Sequence, residues 1–319
     1  MRLKLVPRNT SWNFFLRSKL WIGISIILVV LSLISFFVQS LNFGIDFRGG
    51  TSIRTESSEP VNVAAYRNAL SSLDLGDITI SEVFDPSFED NQNVAMIRIQ
   101  AQPGQEAATS ILVENSLQKL KEVNEDIKFV SVESVGPKVS GELIRTAIIA
   151  VVLAISAVLF YIWIRFEWQF AVGAISALIH DVILTIGVFS LLQIKFDLAI
   201  IAAILTIVGY SLNDTVVVFD RVRENLRKFK KRSLIEVMNL SINETMSRTV
   251  MTSVTTQLAL ISLFVLGGDV IRGFVFAMIW GVVVGTYSSI FIASAILLWT
   301  GVKRDWSRSN AEAGTQVPQ

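Results

Sequence analysis

The sequence predicts an α-helical polytopic membrane protein, with six transmembrane helices and one extracytoplasmic α+β domain between the first two. Three observations carry that prediction. The chain is 52% hydrophobic over 319 residues, with a mean hydropathy of +0.55, above what soluble globular chains usually reach. Six apolar runs, 20–40, 146–164, 168–192, 198–219, 249–268 and 273–302, each offer the roughly 20 residues that a spanning helix needs. Between the first two runs lies a polar block, 42–141, with 15 Asp plus Glu against 8 Lys plus Arg.

The run 20–40 is longer than the apolar core of a secretory signal, and no small-residue cleavage site follows it. It therefore reads as a retained anchor behind a short segment, 1–19. Lys and Arg orient the spans. Arg2, Lys4, Arg8, Arg17 and Lys19 precede the first span. Arg221, Arg223, Arg227, Lys228, Lys230, Lys231 and Arg232 fall in the loop 221–247, and Lys303, Arg304 and Arg308 open the tail 303–319. The positive-inside rule puts both termini and that loop in the cytoplasm. A basic loop between two spans suits anionic lipid better than nucleic acid.

The block 42–141 is then extracytoplasmic, and about a hundred residues suffice for one small domain. Residues 42–55 read as extended, with Gly44, Gly49 and Gly50. Val61, Ala64, Ala65, Ala69 and Leu73 have helical spacing, and 77–84 and 94–100 alternate apolar with polar, as strands do. The stretch 105–123 is amphipathic, with Ile111, Leu112, Leu117 and Leu120 on or near one face. Residues 127–135 alternate again. The order β-α-β-β-α-β is the ferredoxin-like arrangement, in which two helices cover one sheet face. This block has no histidine or cysteine and its carboxylates are scattered, so it reads as a moving or binding part and not as an enzyme.

In the bundle 143–302, Ser233-Leu234-Ile235-Glu236 fits a capping box. Leu234, Val237, Met238 and Leu240 predict that the helix starting there lies on the membrane surface. Gly281 and Gly285 form a GxxxG that permits close helix packing. The chain has no cysteine and one histidine, which argues against disulfides, iron–sulfur clusters and zinc. No lysine follows Gly49 and Gly50 at Walker spacing. No cofactor is expected.

Asp214 lies in the run 198–219, which is otherwise free of charge. A carboxylate there is costly without a partner or a protonation role. It sits five residues before the run's last apolar residue, about 7–8 Å inside at 1.5 Å per residue. Arg248 opens the next run at comparable depth. A guanidinium near a carboxylate favours its charged form and apolar burial its neutral form. Glu244, four residues before Arg248, is a rival partner along one helix, and Arg248 could instead snorkel to the interface. Tyr210 is one turn from Asp214 and Asn213 adjoins it. Thr252, Thr255 and Thr256 follow Arg248 by one and two turns and could line a wet path. His180 and Asp181, near the middle of the third span, read equally as a relay or as a hydrogen-bonded packing element.

Several stretches together resemble a known family. Phe43-Gly44-Ile45-Asp46-Phe47-Arg48-Gly49-Gly50 follows the first span, Leu178-Ile179-His180-Asp181-Val182 lies in the third, and Ser247-Arg248-Thr249 opens the fifth. Gly209-Tyr210-Ser211-Leu212-Asn213-Asp214-Thr215-Val216-Val217-Val218-Phe219-Asp220-Arg221 closes the fourth. They resemble the smaller half of the SecD/SecF protein-export family over nearly the whole chain. One departure is Arg48, where a small polar residue is expected before the two glycines. The resemblance implies a bacterial inner-membrane protein of the proton-driven resistance–nodulation–division (RND) superfamily. It implies pairing with a SecD-like chain, assistance to the SecYEG channel late in the translocation of unfolded pre-proteins, and YajC as a further partner. It also implies that Asp214 and Arg248 are the proton-coupling pair. The remaining alternatives are half of an RND-type efflux pump, a passive scaffold subunit, and an intramembrane aspartyl protease built on Asp181 and Asp214. For the protease, the usual Gly-x-Gly-Asp context is missing before Asp214.

Overall fold

The computed structural model describes residues 10–73, 75–76, 78–83, 88, 91–101 and 110–302. Of the predicted cytoplasmic segments, residues 1–9 and the whole of 303–319 fall outside that set, as do residues 105–109 of the predicted helix 105–123 and both ends of the predicted strand 77–84. Among the described residues, six helices are long and apolar enough to cross a membrane. They are α1 (Ser18–Gln39), α5 (Pro137–Arg165), α6 (Trp168–Leu192), α7 (Leu198–Lys228), α8 (Leu234–Leu266) and α9 (Asp269–Ser288). The last continues through a π-helical turn, Ser289–Ala293, into α10 (Ser294–Thr300).

The centre of the bundle is α6, α7 and the α9–α10 span. Small residues let these helices approach. A Cβ at Gly281 would collide with Ile207 of α7, and one at Gly285 would lie 3.0 Å from Ser211. Gly187 of α6 meets Ser32 of α1 in the same way. One apolar core gathers Phe170, Phe219, Val237, Met238 and Ile242. A second gathers Phe189, Phe196, Ile200 and Ile207. By contrast α5 and α8 keep most of their apolar surface outward, with only 6% and 11% of their apolar windows buried.

Between α1 and α5 the chain forms a four-stranded antiparallel sheet with the order β3-β4-β2-β5. Its strands are β2 (Gly50–Ser57), β3 (Ile78–Val83), β4 (Asn93–Gln100) and β5 (Lys128–Val135). Helices α3 (Val63–Leu70) and α4 (Ser110–Lys121) cover one face. Ile53, Ile80, Ile97, Tyr66, Leu70 and Leu120 form its core. Alternation along the two central strands, β2 and β4, places Ile53, Ile97 and Ile99 there.

Two expectations need correction. Residues 42–55 are not one extended stretch: β1 (Asn42–Phe43) and a single helical turn, α2 (Ile45–Arg48), precede β2. β1 pairs in parallel with a short β6 (Lys195–Phe196) at the head of α7, so the polypeptide turns where it meets the bundle. The loop 221–247 is also mostly helix. α7 runs on to Lys228, α8 starts at Leu234, and the capping box of Ser233 and Glu236 is present. The helix from 234 does not lie on the membrane surface. It continues into the fifth span, because Val237 and Met238 are fully buried against the core.

Candidate functional site

Asp214 projects from α7 into the bundle and is 4% exposed. Its Oδ2 is buried and has no hydrogen-bond partner among the described residues. Arg248 stands on α8, exposed and within electrostatic reach of that carboxylate. It is not bonded to the buried oxygen. The rival partner Glu244 is engaged elsewhere. Its Oε2 accepts from Arg221 Nε at 2.7 Å and from Asn225 Nδ2 at 2.7 Å, which ties the C-terminal part of α7 to the N-terminal part of α8.

The other predicted path residues divide into two groups. Asn213, Thr252 and Thr255 are exposed on the outer side of α7 and α8. The Thr252 and Thr255 hydroxyls donate to the carbonyls of Arg248 (3.1 Å) and Met251 (2.8 Å) on their own helix. Thr256 is half-buried. Tyr210 turns inward, and its hydroxyl donates to Ser253 Oγ at 3.5 Å. Ser253 in turn bonds Thr286 of α9 at 2.7 Å. A polar thread therefore crosses α7, α8 and α9.

His180 and Asp181 are both buried. Asp181 Oδ1 lies 3.0 Å from His180 Nδ1. Its Oδ2 accepts Ser211 Oγ of α7 at 2.6 Å and Ser288 Oγ of α9 at 2.8 Å. One carboxylate thus joins the three central helices. His180 Nε2 is buried without a hydrogen-bond partner among the described residues. Ser211 precedes Asp214 by three residues, so both carboxylates border the same turn of α7. Sequence reading missed Ser211, Ser253, Thr286 and Ser288. The available signal was hydroxyl residues at three- and four-residue spacing inside apolar runs.

The stretch 42–50 connects this bundle to the α/β domain. Gly44 N donates to Phe196 O at 2.8 Å. Asp46 Oδ2 accepts from Leu198 N, the first residue of α7, at 3.1 Å. An anion at a helix N-terminus is stabilising. Ser140 Oγ of α5 donates to Asp46 O at 2.7 Å. At Gly50 the backbone has φ +132°, and a Cβ would collide with Ile99 O, so only glycine fits there.

Two family models match the chain: the C-terminal region of the SecD/SecF protein export membrane proteins over residues 115–303, and the SecD/SecF GG motif over residues 34–61. The protein translocase subunit SecF of Cereibacter sphaeroides is 58% identical over 315 residues, covering 99% of this chain and 97% of the relative. The chain belongs to the SecF family. The SecF subunit of Rhodobacter capsulatus is 56% identical over 310 residues, covering 95% and 93%. Among solved structures, SecDF of Thermus thermophilus, a translocon-associated membrane protein, superposes with a TM-score of 0.81 at 34% identity. That match takes in 94% of this chain and 40% of the SecDF chain. A super-membrane-facing form of SecDF gives 0.68 at 33% identity, with 99% and 42% covered. This chain therefore spans about two fifths of those longer proteins.

Proposed function

We propose that this SecF-family chain, a multi-pass inner-membrane accessory subunit of the Sec translocase, converts proton movement at Asp214 into motion of its α/β domain. The carrying observation is a buried carboxylate oxygen with no bonded partner, facing a guanidinium that is near but not paired. When Asp214 is charged, Arg248 is drawn to it. When Asp214 is neutral, that attraction disappears. A group that changes its interactions with its charge can bias two helix arrangements.

The motion has a route. α7 carries Asp214, and its first backbone amide is held by Asp46, which leads directly into β2 of the outer domain. A shift of α7 would pull on that sheet. The order βαββαβ and the strand order β3-β4-β2-β5 support the ferredoxin-like reading of the domain. The charge bias of the termini and of the turn 229–233 supports placing the domain outside the cytoplasm.

A SecD-like chain is the proposed partner, since the matched SecDF structures contain both halves in one longer chain. The outward face bearing Arg248, Thr252, Thr255 and Asn213 is the proposed seam where such a partner completes the proton path. The SecYEG channel, YajC and unfolded pre-proteins are proposed on the family resemblance alone. Neither a cofactor nor catalysis is part of the proposal.

Asp214→Asn tests it. The variant is purified with its SecD-like partner and reconstituted into vesicles with an active translocation channel and an imposed proton gradient. Co-purification should be unchanged, and the gradient-dependent part of pre-protein export should be lost. Full gradient-dependent export by the variant would refute coupling through Asp214. Loss of co-purification together with export would favour a passive scaffold.

A further inference from the structure

Near the end of the bundle that meets the α/β domain, a cavity of about 470 Å³ separates α5 from α6 and α7, with α2 at its mouth. That volume falls within the roughly 300–1,000 Å³ of ligand sites. Ala147 and Val151 of α5 face Val182 and Ile186 of α6 and Ile204 of α7 across it. One lining residue, Arg48 at the end of α2, is charged; all the others are aliphatic or aromatic. Arg48 is exposed. The nearby Asp46 directs its carboxylate to the Leu198 amide instead.

We propose that this cavity is a phospholipid site. One acyl chain lies between α5 and the α6–α7 pair, and the phosphate of an anionic headgroup sits on the Arg48 guanidinium. Arginine's planar fork matches a phosphate bidentately. Charge selects the ligand, because a tail that leaves bilayer hydrocarbon for a hydrocarbon cavity gains little hydrophobic free energy. The gains are dispersion contacts along the wall and the ion pair at the mouth.

The position favours lipid over a helix of another protein. The cavity lies inside the chain's own bundle, behind α5, which touches α2, α6 and α7. A helix about 10 Å wide could not enter without displacing α5. A lipid tail can enter from the side. Ile144, Ile148 and Val152, four residues apart, are 36%, 59% and 56% exposed and form the outer rim.

The test uses the complex with its SecD-like partner in phosphatidylcholine vesicles. These carry a trace of phosphatidylglycerol with a photoreactive acyl chain or, in parallel, phosphatidylcholine with the same chain. Crosslinked peptides are mapped by mass spectrometry, with the outward residues Ile27, Leu31 and Ile34 of α1 as internal reference. Relative to that reference, the glycerol probe should label residues 144–152 and 182–186 about fivefold more than the choline probe, the ~1 kcal/mol that one basic side chain adds near anionic lipid. Arg48→Gln should erase that preference. Ala147→Trp, which fills the buried wall, should lower labelling by both probes. Equal labelling by the two probes, or labelling unchanged by Ala147→Trp, would overturn the proposal. Crosslinks from this site to the partner chain in place of lipid would overturn it too.

Discussion

Two carboxylates border one turn of α7, and their environments are opposite. Asp181 accepts two serine hydroxyls and faces an imidazole nitrogen, whereas Asp214 Oδ2 is left unbonded. Substitutions should separate them. Asp181→Ala strands the Ser211 hydroxyl and leaves Ser288 only the Gly285 carbonyl, and should cost about 2–3 kcal/mol, since a buried polar group left unsatisfied costs roughly 1–3 kcal/mol. Asp214→Asn breaks no bond to Oδ2 and should leave the unfolding midpoint in mixed micelles nearly unchanged. Equal losses from both would show that Asp214 is a packing residue. Arg248→Lys keeps the charge on a point-like ammonium, so it should retain part of the gradient-dependent export that Arg248→Met loses, with co-purification of the partner as the control.

At the scale of elements, the close pair α7–α9 and the tie at 42–50 are the sensitive joints. Gly281→Leu drives a side chain into Ile207 and should destabilise by about 1–3 kcal/mol, as overpacked cores do. The same change at Gly23, where a Cβ meets nothing within 4 Å, should be silent in the same unfolding assay. Asp46→Ala removes the acceptor of the Leu198 amide, leaving the N-cap Asp197 on Ile200 N, and should cost about 1 kcal/mol. Hydrogen exchange should then quicken at the Leu198 and Phe196 amides before any amide of β3. If the α/β domain is moved through this tie, Asp46→Ala should also weaken gradient-dependent export with Asp214 and Arg248 intact. Unaltered export in that variant would mean that motion reaches the domain by another route, such as α5.

At the scale of the whole molecule, α5 and α8 bury only 6% and 11% of their apolar windows within the chain. Such surfaces need lipid or a partner around them, because soluble proteins do not leave large apolar areas in water. The block 42–141 is net −7 and the rest net +8, so adding salt should weaken contacts made by the domain with basic partners while sparing the apolar seams. Pull-down of the SecD-like chain across a salt series checks this. Association that is lost between low and moderate salt would indicate a charge-held interface and not an apolar one.

The six spans were legible because one-dimensional hydropathy decides whether about 20 residues can leave water. Four strands and two helices of the α/β domain were legible through their periods of 2 and 3.6. Asp214 and Arg248 stood out because charge is costly in apolar runs, whatever the packing. The helical turn at 45–48, the β1–β6 pair and the burial of Val237 and Met238 were not legible, since each depends on a surface supplied by another part of the chain. The same holds for the polar seam. Serines 211 and 288 are ordinary residues of apolar helices until packing brings both hydroxyls to Asp181. The sequence by itself determined which segments enter the membrane and which charge is conspicuous there. Only the tertiary structure decided which carboxylate is hydrogen-bonded and which has a buried oxygen left unbonded, because hydrogen bonds between helices depend on their rotation and depth, which no local pattern encodes.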